Sequence, residues 1–152
     1  MFLWRISNHD TLDGRGGLLA SARWHTQGHL IAYLAASPAG ALVEVLVNLE
    51  LDPARMPGNY TLLKAEAPDD IRVQRLDAAT LPENWKTDLA ISRSRGDEWL
   101  ANRESPLLEV PSAILPETFN ILMNPNHPDA AQIKPVWHQV YPCDRRLFKV
   151  RR

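Results

Sequence analysis

The sequence has little cysteine, no long apolar run and almost no net charge. Cys143 is its only cysteine, which excludes an internal disulfide and a multi-cysteine zinc site. Its 17 basic and 18 acidic residues give a net charge of -1, so no general field attracts nucleic acid or an anionic membrane. No apolar stretch is long enough to span a membrane, and Arg5 and Asp10 interrupt the apolar core that a signal peptide would need. We therefore expect a cytoplasmic protein that binds neither membranes nor, by itself, DNA.

The composition that is present is typical of a globular protein. The chain has 152 residues, of which 45% are hydrophobic and 23% charged, enough to bury a core. Its 12 prolines fall mostly between apparent elements, which favours many short connections over a helical bundle. No internal repeat, low-complexity tract or linker is visible. These features predict one α+β domain over residues 1–152.

Local patterns place the main elements. Strands are predicted at 2–7 and 29–36, the second leading directly into a helix from about 38 to 49. Ser37 is a favourable N-cap for that helix, and Pro38 suits its first position. The other predicted elements are a loop at 13–21, a strand pair at 59–67 and 71–76 joined by a turn at 67–70, a helix at 86–105 weakened by Gly96, and short strands within 107–116, 118–124 and 134–142.

Glu44 is an unusual residue in the helix that follows Pro38, because the surrounding sequence is apolar. At helical spacing Leu42, Val45, Leu46 and Leu49 share one face, predicted to be the core face, while Ala41, Glu44 and Asn48 share another. An unpaired buried carboxylate is costly, so Glu44 needs a partner or a cavity. Arg23 and Tyr33 are the nearest candidates. From the residues alone, a structural Glu44–Arg23 pair or a solvated glutamate remains the plainer interpretation.

Two long motifs give a sharper hypothesis. The stretch "ARWHTQGHLIAYLAASPAGALVEVL" (22–46) resembles the signature of the RES domain family, the toxin half of bacterial toxin–antitoxin pairs. A second block, "VPSAILPETFNILMNPNHPDA" (110–130), resembles the later motif of the same family. The matching positions in the first block and its lead-in are Gly16, Gly17, Arg23, Trp24, Gly28, Tyr33, Ser37, Ala41 and Glu44.

The resemblance implies a fold like that of ADP-ribosyltransferase toxins, with a small twisted mixed sheet, flanking helices and a cleft. It also implies a toxin that degrades NAD+ by cleaving the nicotinamide–ribose bond, with water or phosphate as the acceptor. NAD+ would then be the substrate, and neither a separate cofactor nor a metal is expected. The alternatives are a mono-ADP-ribosyltransferase that modifies a cellular protein and, less favoured, a non-catalytic binding domain.

The resemblance also implies roles for individual residues. Glu44 would stabilise the cationic ribose, Arg23 would hold a phosphate or ribose oxygen, and Tyr33 would offer a flat face to nicotinamide. Ser112 would supply a hydroxyl to the same cleft. The further residues implied in substrate binding are Trp24, Ser37, Asn120, Asn124 and His127. For His127 a turn-stabilising role is the stronger alternative, and both asparagines fit turn caps equally well.

Several residues have plainer expectations. His25 and His29 are predicted to be polar loop histidines rather than metal ligands. The five tryptophans are expected to be mainly core residues. For partners, the family resemblance implies a helix-turn-helix (Xre-like) antitoxin that plugs the cleft, and a homodimer.

Overall fold

The computed structural model describes residues 1–48 and 58–148, which form a seven-stranded mixed sheet with helices packed against it. The strand order is β4-β5-β6-β2-β1-β3-β7. Among the described residues β4 and β5 are the parallel neighbours, and all other neighbouring strands run antiparallel. The α+β prediction is therefore confirmed. The strands are β1 (Phe2–Ser7), β2 (Ala32–Ala35), β3 (Asn59–Glu66), β4 (Val73–Arg75), β5 (Leu107–Pro111), β6 (Phe119–Met123) and β7 (Lys134–Pro142).

The helices begin where the sequence supplies caps. The Ser37 hydroxyl accepts the backbone N–H of Gly40 at 3.0 Å, so α2 begins at Pro38 as predicted; its predicted end near 49 lies outside the described residues. Asp88 caps α3 by accepting the backbone N–H of Ala90 at 3.0 Å. Within 1–48 and 58–148 no helix is long and apolar enough to cross a membrane. The helices are α1 (Gly16–Leu19), α2 (Pro38–Asn48) and α3 (Leu89–Asn102), with 3-10 turns at Ala78–Thr80, Glu83–Lys86, Pro128–Gln132 and Arg145–Phe148.

Two local predictions are wrong. The segment 13–21, predicted as a loop, contains the short helix α1. The runs 59–67 and 71–76 do contain strands, but β3 and β4 are not partners: β3 lies between β1 and β7, whereas β4 pairs with β5 at the opposite edge. The sequence 67–70 marks a change of direction, and such a turn signal does not distinguish a hairpin from a crossing to another edge.

The sheet carries an apolar core on each face. Residues directly opposite in antiparallel strands point to the same face, so the two sets can be separated by register. One core contains Leu3, Leu34, Leu63, Ala65, Leu107, Ile121 and Met123. The other contains Trp24, Trp85, Trp99, Leu100, Leu108, Val110 and Leu122, with Tyr33 packed against it.

The tryptophans divide unevenly between core and surface. Trp24, Trp85 and Trp99 are buried as predicted. Trp137 is 39% exposed on β7, and Trp4 is half-buried, so the core prediction is wrong for these two. Their rings meet edge to face at 6.4 Å, near the edge of the sheet, where strands have fewer elements to cover them.

Helix α2 turns a different side to the sheet than the apolar pattern predicts. Its buried residue is Ala41, whereas Leu42, Val45 and Leu46 are only half-buried, and Leu49 lies outside the described residues. The small alanine lets the helix lie against β1 and β2. As a result, the stripe that carries Glu44 faces the sheet instead of the solvent.

Candidate active site

A cleft lies at the junction of β1 and β2. Among the described residues these strands pair in register at one position, Trp4 opposite Ala35. The cleft has a volume of about 550 Å³, within the range of small-molecule sites. Its walls are formed by Trp4, Arg5, Ile6, Ser7, Ser21, Ala22, Arg23, Trp24, Tyr33, Leu34, Ala35, Ala41, Glu44, Val45, Val47, Asn48, Ala113, Ile114 and Asn120.

The Glu44 carboxylate is held by side chains from the β5–β6 region. Its Oε1 accepts a hydrogen bond from Asn120 Nδ2 at 2.8 Å and another from Ser112 Oγ at 3.2 Å. Every hydrogen bond shown for this carboxylate ends on Oε1, so within the described residues Oε2 is left for a ligand. No ion pair joins Glu44 to Arg23 in 1–48 and 58–148. The structural Glu–Arg pair is therefore absent there, and the two side chains face a shared cleft instead.

Asn120 and Ser112 are both buried and arrive from neighbouring positions. Asn120 lies on β6, opposite Ala35 of β2 and Val110 of β5. Its amide orientation follows from Glu44, because only the Nδ2 side can donate to a carboxylate. The Ser112 hydroxyl accepts the backbone N–H groups of Ile114 and Leu115, at 3.1 and 3.3 Å, while it donates to Glu44. Ser112 is not on the cleft wall, so it orients Glu44 from behind.

Arg23 belongs to residues 22–27, here called the arm, which turn at Arg23 and Trp24 so that Ala22 and His25 pair in an isolated antiparallel bridge. The arm packs against α3. The carbonyl of Ala22 accepts from Arg93 Nε at 2.8 Å, and the carbonyl of Arg23 accepts from Ser92 Oγ at 2.6 Å. The backbone N–H and hydroxyl of Thr26 both donate to the Asp97 carboxylate, at 2.9 and 2.6 Å. The arm is therefore anchored through its backbone.

Gly96 allows the arm to approach α3. A Cβ built on Gly96 would fall on the carbonyl oxygen of Trp24, so this helical position accepts only glycine. The glycine that weakens the predicted helix is thus explained by a close contact. With the arm fixed in this way, Arg23 lines the cleft, and its Nη1 donates to the carbonyl of Lys86 at 3.2 Å.

Tyr33 presents its ring to the cleft while its hydroxyl bonds away from it. The hydroxyl accepts the backbone N–H of Trp24 at 3.2 Å and lies 2.8 Å from Nδ1 of His25. Burial raises the pKa of Tyr33 well above its usual value. His25 lies in the loop between α1 and β2, as predicted, but it is only 2% exposed because its ring packs behind Tyr33. His29 is more exposed, and its Nε2 lies 3.8 Å from Oδ1 of Asp97.

Four residues implied in substrate binding have structural contacts. Ser37 caps α2, and His127 caps the turn Pro128–Gln132 by accepting the N–H of Asp129 at 3.0 Å. Asn124 is buried and bonds Leu100 and Asn126. None of these three lines the cleft. Trp24 does contribute to the wall, but the residue is only 1% exposed, and its ring packs on that of Trp85 with the centroids 5.7 Å apart.

The sequence interpretation missed several residues that build the site. Arg5 lines the cleft from β1 and donates to the carbonyl of Thr11; burial lowers the pKa of its guanidinium, and Asp13 opposes that shift. Ser92, Gly96 and Asp97 hold the arm, and no local pattern in α3 marks them for that task. Among the described residues no group of His, Cys, Asp or Glu could hold a metal ion.

The family model described as RES domain matches residues 2–146. The chain is 44% identical over 148 residues to "Toxin Res" of Pseudomonas putida (strain KT2440), covering 97% of this chain and 100% of that protein. It is 37% identical over 157 residues to "Prs ADP-ribosylating toxin" of Sphingobium sp. (strain YBL2), covering 96% of each. A chain in the crystal structure of the M. tuberculosis MbcT-MbcA toxin-antitoxin complex has the same fold, with a TM-score of 0.72 at 17% identity, over 93% of this chain and 84% of that one.

Proposed function

The chain belongs to the RES domain family, and we propose that it is a toxin that cleaves the nicotinamide–ribose bond of NAD+. The observation that carries this proposal is Glu44 itself. Its carboxylate is fixed through Oε1 by Asn120 and Ser112, and Oε2 remains for a ligand in a cleft that Arg23 and Tyr33 also line. This is a preorganised negative charge in a site of suitable size.

The reaction needs such a charge because bond breakage transfers positive charge to the sugar. The cationic nicotinamide ring takes the bonding electron pair and leaves as neutral nicotinamide, so the ribose becomes oxocarbenium-like. Glu44 would stabilise that cation and accept hydrogen bonds from ribose hydroxyls. Water or phosphate would then form the new bond to the ribose carbon, and water would release a proton.

Arg23 and Tyr33 would position the substrate. A guanidinium presents a planar set of donors that suits phosphate oxygens, which the dinucleotide carries between its two riboses. The Tyr33 ring offers an aromatic face for nicotinamide.

A second candidate is the transfer of ADP-ribose to a protein side chain. It is favoured by the 37% identity to a relative named "Prs ADP-ribosylating toxin". Both reactions use the same departure of nicotinamide, so the residues of the cleft suit both. A non-catalytic binding domain is disfavoured because Arg23, Tyr33 and Glu44 line one cleft.

We also propose a cytoplasmic location and a helix-turn-helix (Xre-like) antitoxin that covers the cleft, since unrestrained NAD+ loss would harm the cell. The structural relative from M. tuberculosis was crystallised in a toxin-antitoxin complex, which supports an antitoxin partner. Two apolar side chains of the cleft are exposed, Val47 at 57% and Ile114 at 37%, and a partner would bury them. Homodimer formation is proposed by family analogy and can be checked by light scattering.

The test is product identification after purified protein is incubated with NAD+, with and without phosphate. Free nicotinamide together with ADP-ribose would identify water as the acceptor, and a phosphorylated ADP-ribose would identify phosphate. Incubation with a cell extract and labelled NAD+ tests the transfer to protein. If none of these conditions releases nicotinamide, the proposed function is wrong.

A further inference from the structure

The contacts of His25 determine which of its nitrogens carries the proton. Nε2 lies 3.0 Å from the carbonyl oxygen of Ala20, and a carbonyl oxygen can only accept. Nε2 must therefore carry a hydrogen. In the neutral ring Nδ1 is then an acceptor, and the group 2.8 Å from it is the Tyr33 hydroxyl. The tautomer follows from the two partners.

The same contacts account for the Tyr33 hydroxyl. A phenol has one hydrogen to donate, and here it points to Nδ1 of His25. The oxygen accepts the backbone N–H of Trp24 at 3.2 Å. The hydroxyl thus links β2 to two successive residues of the arm, one of which directly follows Arg23. Its proton is not available to a ligand in the cleft.

We propose that His25 is a positioning residue for the Tyr33 ring and, through the arm, for Arg23. In this arrangement the neutral imidazole accepts the Tyr33 proton and donates to Ala20, so Tyr33 acts in the cleft through its aromatic face. The inference rests on the proposed function, because it assigns a role to the same site. It predicts that the hydroxyl matters as an anchor and not as an acid or a base.

The surroundings of His25 favour its neutral form. Its side chain faces the carbonyls of Ala20 and Gly17, with Asp97 on α3 and His29 in the following segment as the nearby charged or titratable groups. The carbonyls and Asp97 raise the pKa of His25 and His29 lowers it, but burial is the largest effect and the net pKa is lowered.

Gly17 explains why the ring fits against α1. A Cβ on Gly17 would lie 3.1 Å from Nε2 of His25 and would overlap the carbonyl of His29. The second glycine of the lead-in therefore makes room for the imidazole and for the chain after it. This packing holds the His25 imidazole in place, and the imidazole in turn holds the Tyr33 hydroxyl.

The first experiment reads the tautomer directly by 1H–15N NMR of the histidine rings in the unliganded protein. We expect the Nε2–H form for His25, with its pKa below the 6.5 of an unperturbed histidine. An Nδ1–H form, or a pKa of His25 at or above that value, would overturn the proposal. This measurement does not depend on NAD+ turnover, so it separates failure of this inference from failure of the proposed function.

The second experiment is a double-mutant cycle on NAD+ cleavage, with His25→Leu and Tyr33→Phe alone and combined. If His25 acts through the hydroxyl, His25→Leu should lower kcat about tenfold or more in the Tyr33 protein, since small displacements of positioning groups are costly. In the Tyr33→Phe protein the same change should cost about twofold or less. Equal losses in both backgrounds would show a merely structural role and refute the proposal.

Two further variants keep this result interpretable. His25→Asn retains an acceptor near the position of Nδ1 and should recover part of the loss seen with His25→Leu. If the leucine protein does not fold, His25→Ala, which also lacks the acceptor, replaces it in the cycle. His138→Leu is the matched control, because His138 is 55% exposed and remote from Tyr33, and it should retain the parental rate. If His25→Leu were as active as His138→Leu, His25 would not be a positioning residue for Tyr33.

Discussion

The two walls of the cleft position their charged groups in different ways. On the Arg23 wall, the bonds from α3 end on the carbonyls of Ala22 and Arg23 and on Thr26. None of them ends on the Arg23 guanidinium, which donates separately to the carbonyl of Lys86. On the Glu44 wall, the supporting bonds end on the functional carboxylate itself. On the first wall, the groups of α3 that hold the arm are therefore different from the group offered to the substrate. On the second wall, the Glu44 carboxylate is both the group that is held and the group offered to the substrate.

This comparison indicates which substitutions will be informative. A substitution of Glu44 must keep Oε1 as an acceptor. Otherwise the effect of losing the charge cannot be distinguished from the effect of losing the hydrogen bonds from Asn120 and Ser112. On the Arg23 wall the support can be disturbed from α3 without any change to a cleft residue. The predictions below use these differences, beginning with the largest expected effect.

Glu44→Gln removes the charge and keeps the support. Glutamine Oε1 can still accept from Asn120 and Ser112, so the melting temperature should stay close to that of the parent. Turnover of NAD+ should fall about 10²–10³-fold, or roughly 3–4 kcal/mol, because a preorganised electrostatic contact is lost. The measurement is nicotinamide release by folded protein, with Glu98→Gln on the exposed side of α3 as the control. A Glu44→Gln protein with parental turnover would refute the assigned role.

Gly96→Ala attacks the Arg23 wall from α3. The added Cβ would meet the carbonyl oxygen of Trp24, so the arm or the helix must move. Overpacking of this kind costs about 1–3 kcal/mol, and we expect a lower melting temperature together with a lower NAD+ turnover per folded molecule. Gly16→Ala is the matched control, since its Cβ would meet nothing within 4 Å. Unchanged stability in Gly96→Ala would mean that the arm does not need this contact.

Much of the framework could be predicted because its signals are local. The Ser37–Pro38 start of α2, the strands at both ends of the chain and the unusual Glu44 each depend on a few neighbouring residues. The tertiary pairings depend on which strand edges meet. For this reason the β3–β4 pairing was wrong, although both strands were placed correctly.

The support of the site was not predictable, for a similar reason. Asp97 and Ser92 are ordinary polar residues within a helix, and His25 has the appearance of a loop histidine until Tyr33 and Ala20 surround it. Gly96 appeared to be a weak point of its helix, because the approach of Trp24 comes from a segment about seventy residues away. Even the family motifs include residues such as Asn124, which the structure places outside the cleft.

Asn120→Ala tests the shared support of the Glu44 wall with a smaller expected effect. It removes the 2.8 Å bond to Oε1 and leaves the Ser112 bond, so the carboxylate should lose part of its orientation. A hydrogen bond to a charged group contributes about 1.5–3 kcal/mol, and we expect turnover to fall about tenfold or more. Asn124→Ala is the control, because Asn124 is also buried, at 1% exposed against 7% for Asn120, but lies outside the cleft. The Asn124→Ala protein should be less stable, while its folded fraction keeps the parental turnover. If Asn124→Ala lowered turnover and Asn120→Ala did not, Asn120 would not be the residue that orients Glu44.

The smallest expected effect is the pH dependence that His25 gives to the Arg23 wall. Its pKa in the folded protein is below the value of 6.5 that an unperturbed histidine has, so the unfolded chain binds the proton more readily. The contribution of His25 is therefore complete above about pH 6.5 and is lost as the pH falls toward its folded pKa. For one proton the slope cannot exceed about 1.4 kcal/mol per pH unit. The measurement is urea unfolding of the parent and of His25→Asn between about pH 5 and 8, the range in which histidine titrates. The free energy of unfolding should fall more steeply on acidification in the parent than in the variant. Equal pH slopes of the unfolding free energy in the two proteins would show that His25 is not held neutral behind Tyr33.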